Sequence, residues 1–197
     1  PDNLLIGEDC QLKIADFDLS YMKDDIAIQS KGTRNLRAPE MIHNNCKNPR
    51  SADIFSAGIV LFALKYGFFP YSENPKDKEG FIMYRLLEMK PKEFWENIKE
   101  ACDITEDSSS EDIEFIDLCR KMIAFRPEDR ASIEEIKQSK WYQGPTYSQA
   151  ELKEVMIDLT MGESESSLKE KVSKYLKKFS SPLVYKLFNY FSGPNAS

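Results

Sequence analysis

The stretch SADIFSAGIVLFALKYG, from Ser51 to Gly67, is apolar on nearly every side of the helix that it predicts. A surface helix carries polar residues along one face, so a helix of this kind belongs in the middle of a core. Gly67 follows the last turn of the pattern and is a typical helix stop. The stretch therefore predicts a central helix around which the rest of the chain packs.

The residues after the central helix predict three more helices. The stretch GFIMYRLLEM (80–89) is helical in pattern, and SEDIEFIDLCRKMIAF (110–125) has the apolar spacing of an amphipathic helix. The stretch SIEEIKQSKWY (132–142) starts with Ser132 and Glu135 at the spacing of a capping box.

The residues before the central helix begin with two short apolar runs, NLLI (3–6) and LKIA (12–15), separated by a turn-rich connection. This arrangement predicts a small β-hairpin. Residues 18–35 show no sustained period and predict a long surface loop, which is often functional. The predicted fold is therefore mostly helical, with a short N-terminal β-hairpin.

Composition and charge exclude several classes of protein. The chain has 197 residues, of which 41% are hydrophobic and 30% charged, which is typical of a folded domain. The net charge of −6 argues against a nucleic-acid binder that works through overall charge. Four scattered cysteines and one histidine, His43, predict neither a zinc site nor a disulfide framework, and favour an intracellular, cytoplasmic protein. The most apolar run is too short to span a membrane.

The composition changes near residue 143. We expect residues 143–165 to be a linker and residues 166–192 to form a basic amphipathic helical tail. Residues 165–197 contain six lysines and two glutamates. Such a tail is typical of a calmodulin-binding helix or of a helix that binds an acidic membrane surface. The alternative, which we favour, is a helix pair that docks on the acidic body of the chain or self-associates.

The carboxylates around Phe17 raise a question about the end of the hairpin. Asp16 and Asp18 follow the second apolar run directly. Taken alone, Asp16 is a turn-capping carboxylate. The alternative is a metal ligand, and only the rest of the chain decides between the two.

Five motifs occur in one order along the chain: PDNLL, ADFD, GTRNLRAPE, DIFSAG and RPEDRAS. Together they resemble the C-terminal lobe of a eukaryotic protein kinase over residues 1–142, in general terms that of the calcium/calmodulin-dependent kinases. The resemblance implies a lobe of an α+β two-lobe fold that uses ATP and Mg²⁺. The implied reaction is phosphoryl transfer to serine or threonine of a protein substrate. The resemblance favours the metal-ligand role for Asp16.

The resemblance also implies roles for single residues near the hairpin. Asn3 and Asp16 match the asparagine and aspartate that hold the metal ions. Leu5 matches the apolar residue under the adenine, and Ala15 the small residue before the metal aspartate. Thr33 matches the threonine that positions the substrate hydroxyl.

Other matches are structural. Glu40 and Arg130 match a buried ion pair that stabilises the lobe. Asp53 matches a helix aspartate that accepts hydrogen bonds from the catalytic-loop backbone, although Phe55 stands where tryptophan is usual. Ser30 is adjacent to the usual activation-loop phosphorylation position and is a weaker candidate for that role.

The chain departs from the family pattern at several positions. Asp18 replaces the glycine of the D-F-G motif, which allows unusual backbone angles and lets the segment flip. Aspartate tolerates left-handed geometry better than most residues, so we expect the active arrangement to be kept and the switching to be altered. Arg34 and Leu36 stand where proline and an aromatic residue are common, which changes the substrate-docking segment.

The catalytic base, the ATP-clamping lysine and the glycine-rich loop of the family would all precede Pro1. We therefore expect a C-lobe fragment that is inactive by itself. The alternative is a pseudokinase or scaffold that acts as a protein-interaction module.

Overall fold

The computed structural model describes residues 3–7, 9–20 and 32–160 of the chain. Its elements follow in chain order: strands β1 (Leu4–Ile6) and β2 (Leu12–Ile14), and helices α1 (Pro39–Ile42), α2 (Pro49–Tyr66), α3 (Lys78–Met89), α4 (Pro91–Ala101), α5 (Ser110–Met122), α6 (Ile133–Gln138) and α7 (Gln149–Thr160). Two short 3₁₀ turns cover Arg34–Leu36 and Pro127–Asp129. The mostly helical fold with an N-terminal hairpin is therefore as the sequence predicts.

Helix α2 is the central helix that its apolar composition predicts. It starts at Pro49, whose missing N–H costs nothing in a first turn, and the side chain of Asn48 caps it by accepting a hydrogen bond from the Ser51 amide. It ends at Gly67, whose left-handed backbone (φ 72°) closes the helix. Side chains from several of its faces are fully buried, namely Phe55, Ile59, Phe62 and Tyr66.

Helix α5 packs closely across α2. A Cβ atom at Gly58 would lie 2.8 Å from the Cβ of Met122 and 2.9 Å from Cγ1 of Ile123, so only glycine fits this crossing. An ion pair joins the same two helices, with Lys65 Nζ 2.7 Å from Asp112 Oδ1. Phe115 of α5 packs edge-on against Tyr66. The α2–α5 contact is therefore the centre of the helical body.

Several predicted boundaries differ from the structure. Helix α6 ends at Gln138 and not at Tyr142, although its capping box with Ser132 and Glu135 is present. Helix α4 was not predicted, and its buried residues Phe94, Trp95 and Ile98 complete the core. Helix α7 lies within the segment expected to be a linker. No helix within the described ranges has the length and apolar character needed to cross a bilayer.

Candidate catalytic and metal site

The N-terminal hairpin brings the two ends of its strands together. Strands β1 and β2 pair antiparallel, with Leu4 opposite Ile14. The pairing continues by one residue, because the Ala15 amide donates to the Asn3 carbonyl over 2.9 Å. Asn3 therefore lies beside the residue that follows Ala15.

Asn3 and Asp16 are in direct contact at this end of the hairpin. The amide nitrogen Nδ2 of Asn3 donates to Oδ2 of Asp16 over 3.1 Å, and both side chains are exposed. The other oxygen of Asp16, Oδ1, accepts a long hydrogen bond of 3.4 Å from the Asp18 amide. Asp16 thus caps a turn and meets Asn3 at the same time, so the two interpretations of its sequence pattern are compatible.

The unusual backbone conformation lies at Asp16 and not at Asp18. Asp16 has φ 62°, in the left-handed region, whereas Asp18 is not among the described residues with positive φ. Aspartate is one of the few side chains that tolerate this region. In this conformation Asp18, at the position of the motif's glycine, does not adopt a left-handed backbone angle.

A cavity of about 460 Å³ lies between the hairpin and α2. Asn3 and Thr33 both line it, so the structure places these two candidate residues around one space. The remaining lining is apolar and comes from Leu4, Leu12, Ile14, Leu36, Ala57, Val60, Leu61 and Leu64. The last four of these residues form a stripe at helical spacing along α2.

Other candidate residues of the hairpin do not join this cavity. Leu5 pairs with Lys13 on the opposite face of the hairpin from Leu4 and is 51% exposed. Ala15 is half-buried beside Asp16. Phe17 is 65% exposed, because no described element covers this end of the hairpin.

The donor set of Asn3 and Asp16 fits magnesium. Mg²⁺ prefers oxygen ligands and is usually held by one or two carboxylates together with phosphate oxygens and water. Asn3 and Asp16 offer an amide and a carboxylate side by side on an exposed edge. No group of three His, Cys, Asp or Glu side chains suited to a metal occurs in the part of the chain that the structure describes. A cation here would therefore depend on ligands from a nucleotide.

Asp53 lies in the first turns of α2 without a donor for its carboxylate among the described residues. Partial desolvation by the surrounding protein raises the pKa of Asp53 above its ordinary value. Asp53 is nevertheless an exposed residue, so water can satisfy its carboxylate.

The structure brings Glu40 and Arg130 together as a buried, bidentate ion pair. The two guanidinium nitrogens of Arg130 lie 2.7 Å from Oε1 and 2.7 Å from Oε2 of Glu40. Only 1% of the Arg130 side chain and 8% of the Glu40 side chain are exposed. The pair joins α1 to the segment before α6.

The remaining donors of Arg130 are also satisfied. They reach the carbonyl oxygens of Ser51 (2.9 Å), Ala124 (2.8 Å) and Phe125 (3.1 Å). The guanidinium also lies over the Phe55 ring, 4.7 Å from its centroid. Phe55, at a position where tryptophan is usual, therefore still packs on the ion pair.

A second bidentate ion pair was not predicted from the sequence. Arg37 Nη2 lies 2.8 Å and 2.9 Å from the two carboxylate oxygens of Glu73, and both side chains are largely buried. The available signal was an arginine within GTRNLRAPE and a glutamate within GFFPYSE. Charges 36 positions apart give no pattern that predicts their pairing.

Two predictions fall outside the described residues. These are the candidate phosphorylation site at Ser30 and the basic tail at 166–192. The four cysteines, by contrast, are all described, and no disulfide bond joins any two of them.

Comparison with known proteins identifies the family. The protein kinase domain model matches residues 1–142. The chain is 28% identical to CBL-interacting protein kinase 11 of Oryza sativa subsp. japonica, with 86% of this chain and 33% of the relative aligned. It is 31% identical to CBL-interacting serine/threonine-protein kinase 16 of Arabidopsis thaliana, over 72% of this chain and 29% of that protein.

A further relative is the mitogen-activated protein kinase sty1 of Schizosaccharomyces pombe, which is 32% identical over 67% of this chain and 42% of the relative. The chain thus spans less than half the length of these relatives. The match of the family model covers most of the chain and includes the hairpin, the Glu40–Arg130 pair and the central helix. The chain belongs to the protein kinase domain family.

Proposed function

We propose that this chain is the C-terminal lobe of a protein serine/threonine kinase, which transfers the γ-phosphoryl group of ATP to a serine or threonine of a protein substrate. The observation that carries the proposal is the 3.1 Å contact between Asn3 and Asp16. It joins the two residues that resemble the family's metal ligands. One of the relatives reported above, from Arabidopsis thaliana, is named a serine/threonine-protein kinase, which supports the substrate class.

In this proposal Asn3 and Asp16 hold Mg²⁺ at the edge of the hairpin. Bound Mg²⁺ neutralises charge on the nucleotide phosphates, which is the main requirement of phosphoryl transfer. Asp16 supplies the carboxylate, and its left-handed backbone (φ 62°) fixes the direction of that side chain. Asn3 supplies an amide oxygen when its side chain turns from the observed contact with Asp16.

Thr33 positions the substrate hydroxyl in the proposed reaction. It is exposed, and it lines the cavity that Asn3 also lines. Its own hydroxyl makes no capping bond to the 3₁₀ turn that follows it. In the proposed reaction this hydroxyl contacts the substrate or the group that takes the substrate proton.

The 197 residues contain no match to the family's catalytic base, its phosphate-clamping lysine or its glycine-rich loop. We therefore infer that this chain alone transfers no phosphate at an appreciable rate. The described residues that line the cavity beside Asn3 and Thr33 are largely apolar, and none of them is a candidate base.

A paramagnetic metal tests the proposed site without requiring activity. Mn²⁺, which takes the same oxygen ligands as Mg²⁺, is added with ADP to the isotopically labelled chain, and amide signals are followed by NMR. We expect selective broadening at Asn3 and Asp16, and its loss in Asp16→Asn. Asp107→Asn, an exposed aspartate remote from the hairpin in sequence, is the control. Broadening elsewhere, with none at the hairpin, would contradict the metal site.

A phosphotransfer assay tests the second part of the proposal. The purified chain is incubated with radiolabelled ATP, Mg²⁺ and a mixed serine/threonine peptide pool. We expect no turnover above background. Turnover that disappears in Asp16→Ala would show that the chain is catalytically complete and would overturn the inferred inactivity.

A scaffold or pseudokinase is the second candidate, and one observation favours it. Ile6, Leu12 and Ile14 on the hairpin are each more than half exposed. Exposed apolar side chains in a cluster are typical of a surface that contacts another protein. Absence of Mn²⁺ broadening at the hairpin, with the fold intact, would favour this alternative.

A further inference from the structure

The segment after Thr33 is fixed to the helical body by its side chains. Arg37 makes three hydrogen bonds to the Glu73 carboxylate, from Nε at 3.2 Å and from Nη2 at 2.8 and 2.9 Å. Only 16% of the Arg37 side chain and 7% of the Glu73 side chain are exposed. This pairing balances the charge of Arg37 within the protein.

Further hydrogen bonds hold the backbone of the same segment. Ser56 Oγ of α2 donates to the Leu36 carbonyl over 2.7 Å, and the Tyr71 hydroxyl donates to the Arg37 carbonyl over 3.4 Å. The side-chain oxygen of Asn35 accepts from the Glu73 amide over 3.4 Å. The segment is therefore attached both to α2 and to the loop that contains Glu73, which leaves little freedom for its backbone.

Arg34 is the exception within this fixed segment. Its side chain is exposed, and no carboxylate forms an ion pair with it in the described ranges. It directly follows Thr33, which lines the cavity with Asn3. Among the described residues, a guanidinium without a carboxylate partner thus follows the residue proposed to position the substrate hydroxyl, on a segment that several hydrogen bonds hold in place.

We propose that Arg34 is a specificity-determining residue that selects substrates with an anionic side chain next to the phosphoacceptor. The proposal rests on the proposed kinase function, because that function places the substrate at Thr33. A guanidinium binds carboxylate and phosphate oxygens in a planar, two-point geometry, so aspartate, glutamate and phosphoserine are all suitable. Because the support is already ordered, little conformational entropy is lost when the anion binds.

The test measures peptide binding, since the chain alone is expected to be inactive. Three fluorescein-labelled peptides share one acceptor serine and differ in the residues beside it: alanine, aspartate or phosphoserine. Fluorescence anisotropy with the 197-residue chain at low salt gives each Kd. For one exposed charge pair we expect the aspartate peptide to bind about fivefold more tightly than the alanine peptide. The phosphoserine peptide distinguishes phosphate from carboxylate as the preferred anion.

Variants assign the effect to Arg34. Arg34→Ala should abolish the preference for the anionic peptides, and Arg34→Glu should reverse it. Arg50→Ala is the matched control, because Arg50 is another exposed arginine, in the first turn of α2, and should leave the preference unchanged. Circular dichroism confirms that each variant keeps its helices.

Equal affinities for the three peptides, or no measurable binding of any of them, would overturn the proposal. So would an anion preference that persists in Arg34→Ala. The metal experiment is independent, because Arg34 is not part of the Asn3–Asp16 contact. If Mn²⁺ fails to bind while the Arg34-dependent preference persists, the kinase assignment fails and the anion-selective surface remains.

Discussion

Glu40 and Arg130 lie 90 positions apart in the chain and meet through two hydrogen bonds of 2.7 Å inside the protein. The same guanidinium also donates to three backbone carbonyls. One side chain therefore joins α1, the start of α2 and the segment before α6. This makes the pair a structural centre of the lobe that is separate from the candidate metal site.

Arg130→Met should destabilise the fold strongly. The substitution leaves the Glu40 carboxylate charged and buried, and removing one partner of such a pair typically costs about 3–5 kcal/mol. The change in the free energy of unfolding is measured by urea denaturation. Arg126→Met removes an exposed arginine four positions earlier and should change that free energy by less than about 0.5 kcal/mol. Equal effects of the two substitutions would contradict the structural role.

Gly58→Ala should also destabilise the chain, although alanine favours helices. The new Cβ would meet the Met122 Cβ at 2.8 Å and Ile123 Cγ1 at 2.9 Å. Overpacking of a core typically costs about 1–3 kcal/mol, which exceeds the gain of about 1 kcal/mol in helix propensity. Thermal unfolding monitored by circular dichroism should therefore show a lower Tm. A raised Tm would mean that α2 and α5 separate without cost.

Asp53→Asn should stabilise the chain at neutral pH. Desolvation raises the pKa of Asp53 in the folded state above its ordinary value of 3.8, so folding favours the protonated form. The free energy of unfolding therefore falls as the pH rises from 3.8 through the raised pKa, and then stays level. The free energy of unfolding of the asparagine variant does not fall in this way. The difference in stability between the variant and the unmodified chain should therefore be largest at pH 7 and vanish below pH 3.8. Urea denaturation across this range provides the measurement.

Asp107→Asn is the control for that pH series, because Asp107 is exposed in the loop before α5. The free energy of unfolding of Asp107→Asn should change with pH in the same way as that of the unmodified chain. If Asp53→Asn also follows the unmodified chain, the carboxylate is not desolvated in solution.

Ser132→Ala should lower the Tm by removing the cap of α6. Ser132 accepts from the Glu135 amide at 3.2 Å, and Glu135 accepts in return from the amide and hydroxyl of Ser132. These two donors lower the pKa of Glu135 below its ordinary value of 4.5. The stabilisation is therefore present above pH 4.5 and is lost as the pH falls through the lowered pKa.

A scanning calorimetry series compares the unmodified chain, Ser132→Ala and Ser132→Asn. Asparagine is also a good N-cap, so Ser132→Asn should lower the Tm much less than Ser132→Ala does. If the decrease in Tm caused by Ser132→Ala is the same at low pH, the Glu135 carboxylate does not contribute to the cap.

Local rules predicted much of the fold. The all-round apolar pattern of α2, its glycine stop and the capping box of α6 depend on neighbouring residues, so they can be predicted from a short stretch. Helix α4 also has local signals in the sequence. Pro91 stands at its start, and Phe94 and Ile98 are spaced to share one face.

The site was less predictable from pattern alone. The Arg37–Glu73 pair depends on tertiary packing of segments that are distant in sequence, and no periodicity indicates it. Glu40 and Arg130 were matched only through the resemblance to kinases. The left-handed backbone angle at Asp16 was not predicted, because the sequence shows that residue 18 departs from the motif and carries no signal for the angle at residue 16.

The candidate metal ligands stand on the weakest element of the structure. Two strands of three residues each form the hairpin, and such a pair has little stability of its own in water. The helical body, by contrast, is anchored by fully buried aromatic side chains. Backbone amides of the hairpin should therefore exchange with deuterium far sooner than those of α2. A ligand that bridges Asn3 and Asp16 would stabilise the paired strands, so part of its binding free energy would be spent on keeping the hairpin folded.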